Sequence, residues 1–208
     1  LTTHHNKLGE ETGKFLHDMV EPALFKSMEQ KQWPMCPYVN FEDGSPEKGW
    51  TAFYDPPRYS SGYAALFQTI GFVPETHMLK PFADRLQSTL TFMEVAIDFM
   101  DQNHVELAEK RQKAFEMTRT KSTFHLDYAM DASKHDSILF KGYAAKYKPS
   151  EVSGLPRLWY DRAEPWEANI PYYNYFNPSL SVEKPVAYII PQAWENVIER
   201  LEINQVKM

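Results

Sequence analysis

Glu75 closes the run Ile70-Gly-Phe-Val-Pro-Glu75, a short apolar stretch of buried-strand type that ends on a carboxylate. A carboxylate at the C-terminal end of such a strand, next to a helix, sits where open α/β sheets place their sites. There it can take or give a proton. Its plainer role is to end the strand and meet solvent or Lys80. His77 lies two residues on and shares the face of Glu75 if the strand continues, which places it in the cleft or leaves it to a local hydrogen bond. Upstream, Tyr59-Ser-Ser-Gly-Tyr63 is a small-residue turn with a phenol at each end. Arg58 beside it could contact an acidic group of a substrate, or simply be a surface arginine.

Other chemistry-bearing residues have ready structural explanations. His4 and His5 are adjacent, neighbouring side chains diverge in regular structure, and no carboxylate stands at ligand spacing, so they read as polar loop residues. The single Cys36 excludes an internal disulfide and a Cys-rich metal site. Trp159, Tyr160, Trp166, Tyr172, Tyr173, Tyr175 and Phe176 could stack on sugars, but a small β module also builds its core from such rings.

The elements that must position these residues follow from periodicity. Phe15, Leu16, Met19, Val20, Ala23, Leu24 and Met28 make one apolar helical face within residues 8–30, and Pro22 should kink or restart that helix. Residues 33–54 read as a loop with one short strand at 38–41. The Ser-Ser-Gly turn caps a short helix, and residues 70–75 form the strand carrying Glu75. A long helix begins near Pro81 with the stripe Phe82, Leu86, Leu90, Met93, Ile97 and Met100. A further polar helix covers residues 104–117. Residues 124–130 and 138–147 alternate as strands do, and 149–178 reads as an aromatic, Pro-rich meander. Residues 186–190 read as a buried strand, followed by a short helix through about 201. The fold expected is α/β to about residue 120, then a smaller, mostly β module over 121–208 with a final strand–helix unit.

Composition bounds the function. The net charge of -6, with 22 basic against 28 acidic residues and no basic run, gives no footprint for a nucleic-acid partner. No apolar stretch approaches the roughly 18–20 residues that span a bilayer. The chain opens on Leu1 without an initiator Met and reads as cut from a longer protein.

Tyr59-Ser-Ser-Gly-Tyr-Ala-Ala-Leu and Gly71-Phe-Val-Pro-Glu75-Thr-His-Met-Leu-Lys-Pro-Phe-Ala-Asp-Arg85 resemble the last part of the catalytic domain of bacterial zinc-dependent metallocarboxypeptidases. Thr3-His-His-Asn-Lys-Leu-Gly also looks like this family. Lys148-Pro-Ser-Glu-Val-Ser-Gly-Leu-Pro-Arg157 and Ala187-Tyr-Ile-Ile-Pro-Gln-Ala-Trp194 resemble the module that follows that domain in larger members. The resemblance implies hydrolysis of a peptide bond near a free C-terminus by zinc-activated water, with Glu75 as general base. Tyr59 matches a mobile tyrosine that closes over the substrate, with Tyr63 the second choice, and Arg58 and His77 are candidates for substrate contact. It also implies a peptide or protein substrate and export. The family's zinc motif, His-x-x-Glu, is absent, because the residue three after each histidine is never glutamate. The zinc ligands are therefore expected upstream of Leu1, and the isolated chain is expected to be inactive. The alternative is a non-catalytic module that recognises glycan or cell-wall material through its aromatic residues.

Overall fold

The apolar face of residues 15–28 demands cover, and the fold is arranged to supply it. The computed structural model describes residues 1–41 and 45–208; the part of the predicted loop at 42–44 lies outside them. Helix α1 (Glu10–Phe15) runs through a widened turn at Leu16–Val20 into α2 (Glu21–Gln30). In that turn the Glu21 amide donates to the Leu16 carbonyl, five residues back. The wide turn accommodates Pro22, which has no amide to donate and falls in the first turn of α2. It also absorbs part of the drift that four-residue spacing imposes on a 3.6-residue helix, so Leu16, Val20, Leu24 and Met28 all stay buried.

Phe92 and Val95 of α4 (Phe82–Thr120) cover this face, with Leu8 and Ala65 completing the cluster. Phe82–Thr120 contains neither Gly nor Pro, so the two helices expected over this stretch are one 39-residue helix. The stripe expected to be its core face is largely exposed: Phe82 is 74%, Leu86 60% and Ile97 64% accessible. Glu11 fixes the register of α1 on α4 through Lys110 and Lys113, at 3.3 and 2.6 Å. Short helix α3 (Ser60–Ala65) precedes α4, and α5 (Glu195–Ile203) ends the fold. Among the described residues no helix is long and apolar enough to cross a membrane.

The strands make two sheets. β3 (Asp136–Pro149) pairs antiparallel with β4 (Pro156–Tyr173), and β1 (Trp50–Thr51) joins the other edge of β4 in parallel. β2 (Thr123–Met130) and β5 (Phe176–Glu183) form an antiparallel pair. The stretch read as a meander is mostly β4. Its Pro165 is tolerated beside a bulge, where the pairing jumps from Tyr143 with Pro165 to Ala144 with Asp161. Gly49 turns the chain into β1 with φ +75, and any Cβ there would meet the Pro171 carbonyl at 1.9 Å.

Three expected strands are absent among the described residues. Residues 38–41 are irregular, although the Tyr38 amide donates to the Leu1 carbonyl. Residues 70–75 contain a single bridge, Val73 with Thr2, and Pro74 ends it by lacking a donor. The final strand–helix unit keeps only its helix: residues 186–190 are irregular, with Val186 and Ile189 fully exposed, and lie between Pro185 and Pro191. The fold is thus α/β in the general sense, with helices and small mixed sheets.

A polar clasp joins α1–α2 to the β strands. His17 donates from Nδ1 to Asp18 at 2.8 Å and from Nε2 to Asp136 at 2.9 Å. Asp136 also accepts from Asn174 at 2.6 Å and Tyr175 at 2.9 Å. Burial opposes charge on His17, but the two carboxylates outweigh it and raise its pKa above the ordinary value. Burial pushes nearby Glu21 up to about 7. Both shifts are upward, so both groups contribute stability at acidic pH that is lost as pH rises through their folded pKa values. His17→Gln should therefore lower the unfolding temperature more at pH 6 than at pH 9. Equal losses at the two pH values, read by thermal melts, would show that the imidazolium does not hold this junction.

Candidate functional site

A cavity of about 470 Å³ opens between the N-terminus of α3, the segment 53–55 and the bridged segments around Thr2 and Val73. That volume is within the range of small-ligand sites. Tyr38, Phe53, Tyr59 and Val73 give it apolar walls, while Asp55, Ser60, Ser61 and Glu75 supply polar groups. Glu75 and Tyr59, sixteen positions apart in the chain, thus border one cavity.

Tyr59 caps the N-terminus of α3 in extended conformation, its ring edge-on to Phe53 at 5.3 Å, with the Arg58 guanidinium 5.6 Å from its centre. It is 43% exposed. Glu75 is exposed on irregular backbone after Pro74, where the sequence suggested the end of a buried strand. The other candidates lie outside the lining. Arg58 is exposed and stacks on Tyr59 from outside. Tyr63 donates its hydroxyl to Asn204 after α5 and packs its ring on Phe67. His77 accepts from the Leu79 amide at 3.2 Å as the chain turns towards Lys80, so it does not continue a strand beside Glu75.

The floor of the cavity holds the group that sequence reasoning missed. Asp55 is 1% exposed. It accepts from Lys7, whose side chain is 6% exposed, and from the Ser61 hydroxyl. Burial lowers the Lys7 pKa, opposed by Asp55. These bonds bind α3 to the chain leading into α1. Gly62 lets α3 approach, since a Cβ there would stand 2.3 Å from the Pro56 carbonyl. The small residues of Tyr59-Ser-Ser-Gly-Tyr63 therefore have two tasks: Ser61 satisfies the buried acid and Gly62 permits contact. The one local signal for Asp55 is its place before Pro56-Pro57, a turn-forming context.

His4 is buried, unlike the polar loop residue its sequence suggested. It stands edge-on to Tyr54 and Phe176, its Nδ1 accepts from the Asn6 amide, and its Nε2 has no partner. Burial, then His17, holds the His5 pKa down at about 4. Among the described residues no group of three or more His, Cys, Asp or Glu side chains is placed to hold a metal ion.

Removing one partner of the buried pair leaves an uncompensated charge, which costs about 3–5 kcal/mol, whereas neutralising both can be nearly neutral. Lys7→Met should destabilise the protein on that scale, and Lys7→Met with Asp55→Asn should recover most of the loss. Denaturant unfolding reads the cycle; additive losses in the double variant would contradict the assignment.

No protein family, curated protein or solved structure matches the chain.

Proposed function

We propose that the chain carries part of a metallocarboxypeptidase-like α/β hydrolase domain, residues 1–120, followed by an accessory β module, 121–208, and that its cavity receives the C-terminal end of a peptide or protein. The observation that supports this reading is the shared cavity: Glu75 and Tyr59, singled out by the family resemblance, border it together. An exposed carboxylate at the rim accepts a proton from the attacking water and returns it to the leaving amine. A partly exposed tyrosine at a helix start can swing over the bound end. The apolar walls from Phe53, Tyr38 and Val73 exclude water around it.

Zinc is the cofactor that the resemblance implies, and it would polarise the scissile carbonyl. The resemblance, together with the absence of a His-x-x-Glu motif from this sequence, assigns the zinc ligands to a part of the protein outside these residues, and the resemblance alone places the protein among exported hydrolases. Alone, the chain is inactive under this proposal. The alternative, glycan recognition by the aromatic cluster, draws less support. Tyr172 packs on Trp50, Trp166 on Phe140, Tyr175 on His5 and His17, and Phe176 on His4 and Tyr54, so these rings are engaged internally.

In the protein from the complete reading frame, Glu75→Gln should lower kcat by about 10²–10⁴-fold on a C-terminally free peptide, with zinc content unchanged. Turnover close to wild type in a zinc-loaded Glu75→Gln variant would remove Glu75 from the mechanism. Absence of any peptide hydrolysis by the zinc-loaded complete protein would remove the reading itself.

A further inference from the structure

Helix α4 is apolar on two opposite faces, and only one is covered. Thr91, Phe92 and Val95 point into the core. Leu86, Leu90, Met93 and Ile97 stand on the other side at spacings of four, three and four, the pattern of a helix–helix seam. All four are 46–64% exposed. Just before the helix and at its start, Met78, Leu79 and Phe82 project as an apolar knob, 77, 83 and 74% exposed. Further along the same helix an open apolar groove of about 600 Å³ lies between α4 and residues 69–72, lined by Ile70, Phe72, Met100 and Leu107.

We propose that this face binds a second copy of the chain, with the two α4 helices antiparallel about a two-fold axis between Leu90 and Met93. The stripe is self-complementary in that arrangement. Leu90 of one copy faces Met93 of the other, and Leu86 faces Ile97, which is the isologous pairing a two-fold requires. The same register carries the Met78–Leu79–Phe82 knob of each copy over the Met100–Leu107 groove of the other. It also brings Lys80, beside the knob, to Asp101 on the groove wall, so charge as well as shape is matched. A 39-residue helix is about 58 Å long at 1.5 Å per residue, room for the whole pattern. A stable interface buries about 800 Å² per partner. Seven large, mostly exposed apolar side chains and the groove supply surface on that scale. Neither Glu75 nor Tyr59 takes part, and since the proposed function assigns further residues of the domain to a part of the protein outside these, such a segment is the competing occupant of the stripe.

Sedimentation velocity of the 208-residue chain over a range of concentrations tests it. The expected result is a monomer–dimer equilibrium whose Kd rises at least tenfold in Ile97→Glu and in Phe82→Glu. Val152→Glu, at the exposed tip of the β3–β4 turn, should leave it unchanged. Both interface positions are exposed in the single chain, so the variants should keep wild-type far-ultraviolet circular dichroism. In a Cys36→Ser background, Leu90→Cys with Met93→Cys should form a disulfide between copies on oxidation. A chain monomeric at all concentrations overturns the proposal and assigns the stripe to a different partner. A dimer indifferent to both charges, or a dimeric Leu90→Cys, Met93→Cys variant that gives no disulfide between copies on oxidation, overturns it equally.

Discussion

Phe15, Leu16, Val20, Leu24 and Met28 must be taken out of water together, and Phe92 and Val95 of α4 are what takes them. Fully burying a side chain of this size is worth about 1.5–3 kcal/mol, and a helix of some twenty residues is marginal without such packing. The widened turn at Leu16–Val20 belongs to the same requirement, because it keeps residues four apart on one buried line past Pro22. The Glu11 pairs with Lys110 and Lys113 lie at the surface, where ion pairs add about 0–1 kcal/mol. Their contribution is alignment: they hold the helices in the register that the apolar contacts stabilise.

The cavity inherits its rigidity from that contact. Leu8, at the entry to α1, and Ala65, at the end of α3, both belong to the buried cluster. Between them, Lys7 and Ser61 converge on Asp55. The Gly9 amide donates to Gln68, and Arg111 of α4 donates to the Gln68 carbonyl, so the chain leaving α3 is held as well. One side of the cavity is therefore fixed by buried groups. Glu75 and Tyr59, which also line it, are exposed.

How much of this was legible in the sequence depends on the range of the interaction. The helical face at residues 15–28 was readable because its partners recur every three or four positions. The length of α4 needed only the absence of Gly and Pro, yet which of its two apolar faces met the core did not follow from periodicity. Both faces repeat at helical spacing, and the choice is made by contacts with residues 60 to 80 positions away. The alternation in β3 was readable for the same local reason, whereas β4 was hidden by prolines that a bulge accommodates. Asp55 was unreadable because Lys7, its partner, is 48 positions distant. The joint placement of Tyr59 and Glu75 came from resemblance, not from any local rule, and the strand expected to carry Glu75 reduces to one bridge.

Two of the apolar surfaces exposed among the described residues differ in physical kind. Residues 186–190 present Val186, Tyr188 and Ile189 on irregular backbone between two prolines. The flanking prolines limit the use of that segment as an added strand. The α4 stripe carries no such limit, because core packing on the opposite face already holds its backbone and spaces its side chains. Preorganisation of this kind raises affinity without adding contacts. A contiguous apolar surface on a rigid helix is unusual on a monomer and marks an interaction site. The same helix that closes the core thus presents the surface best prepared for association, with one face supplying the stiffness that the other requires.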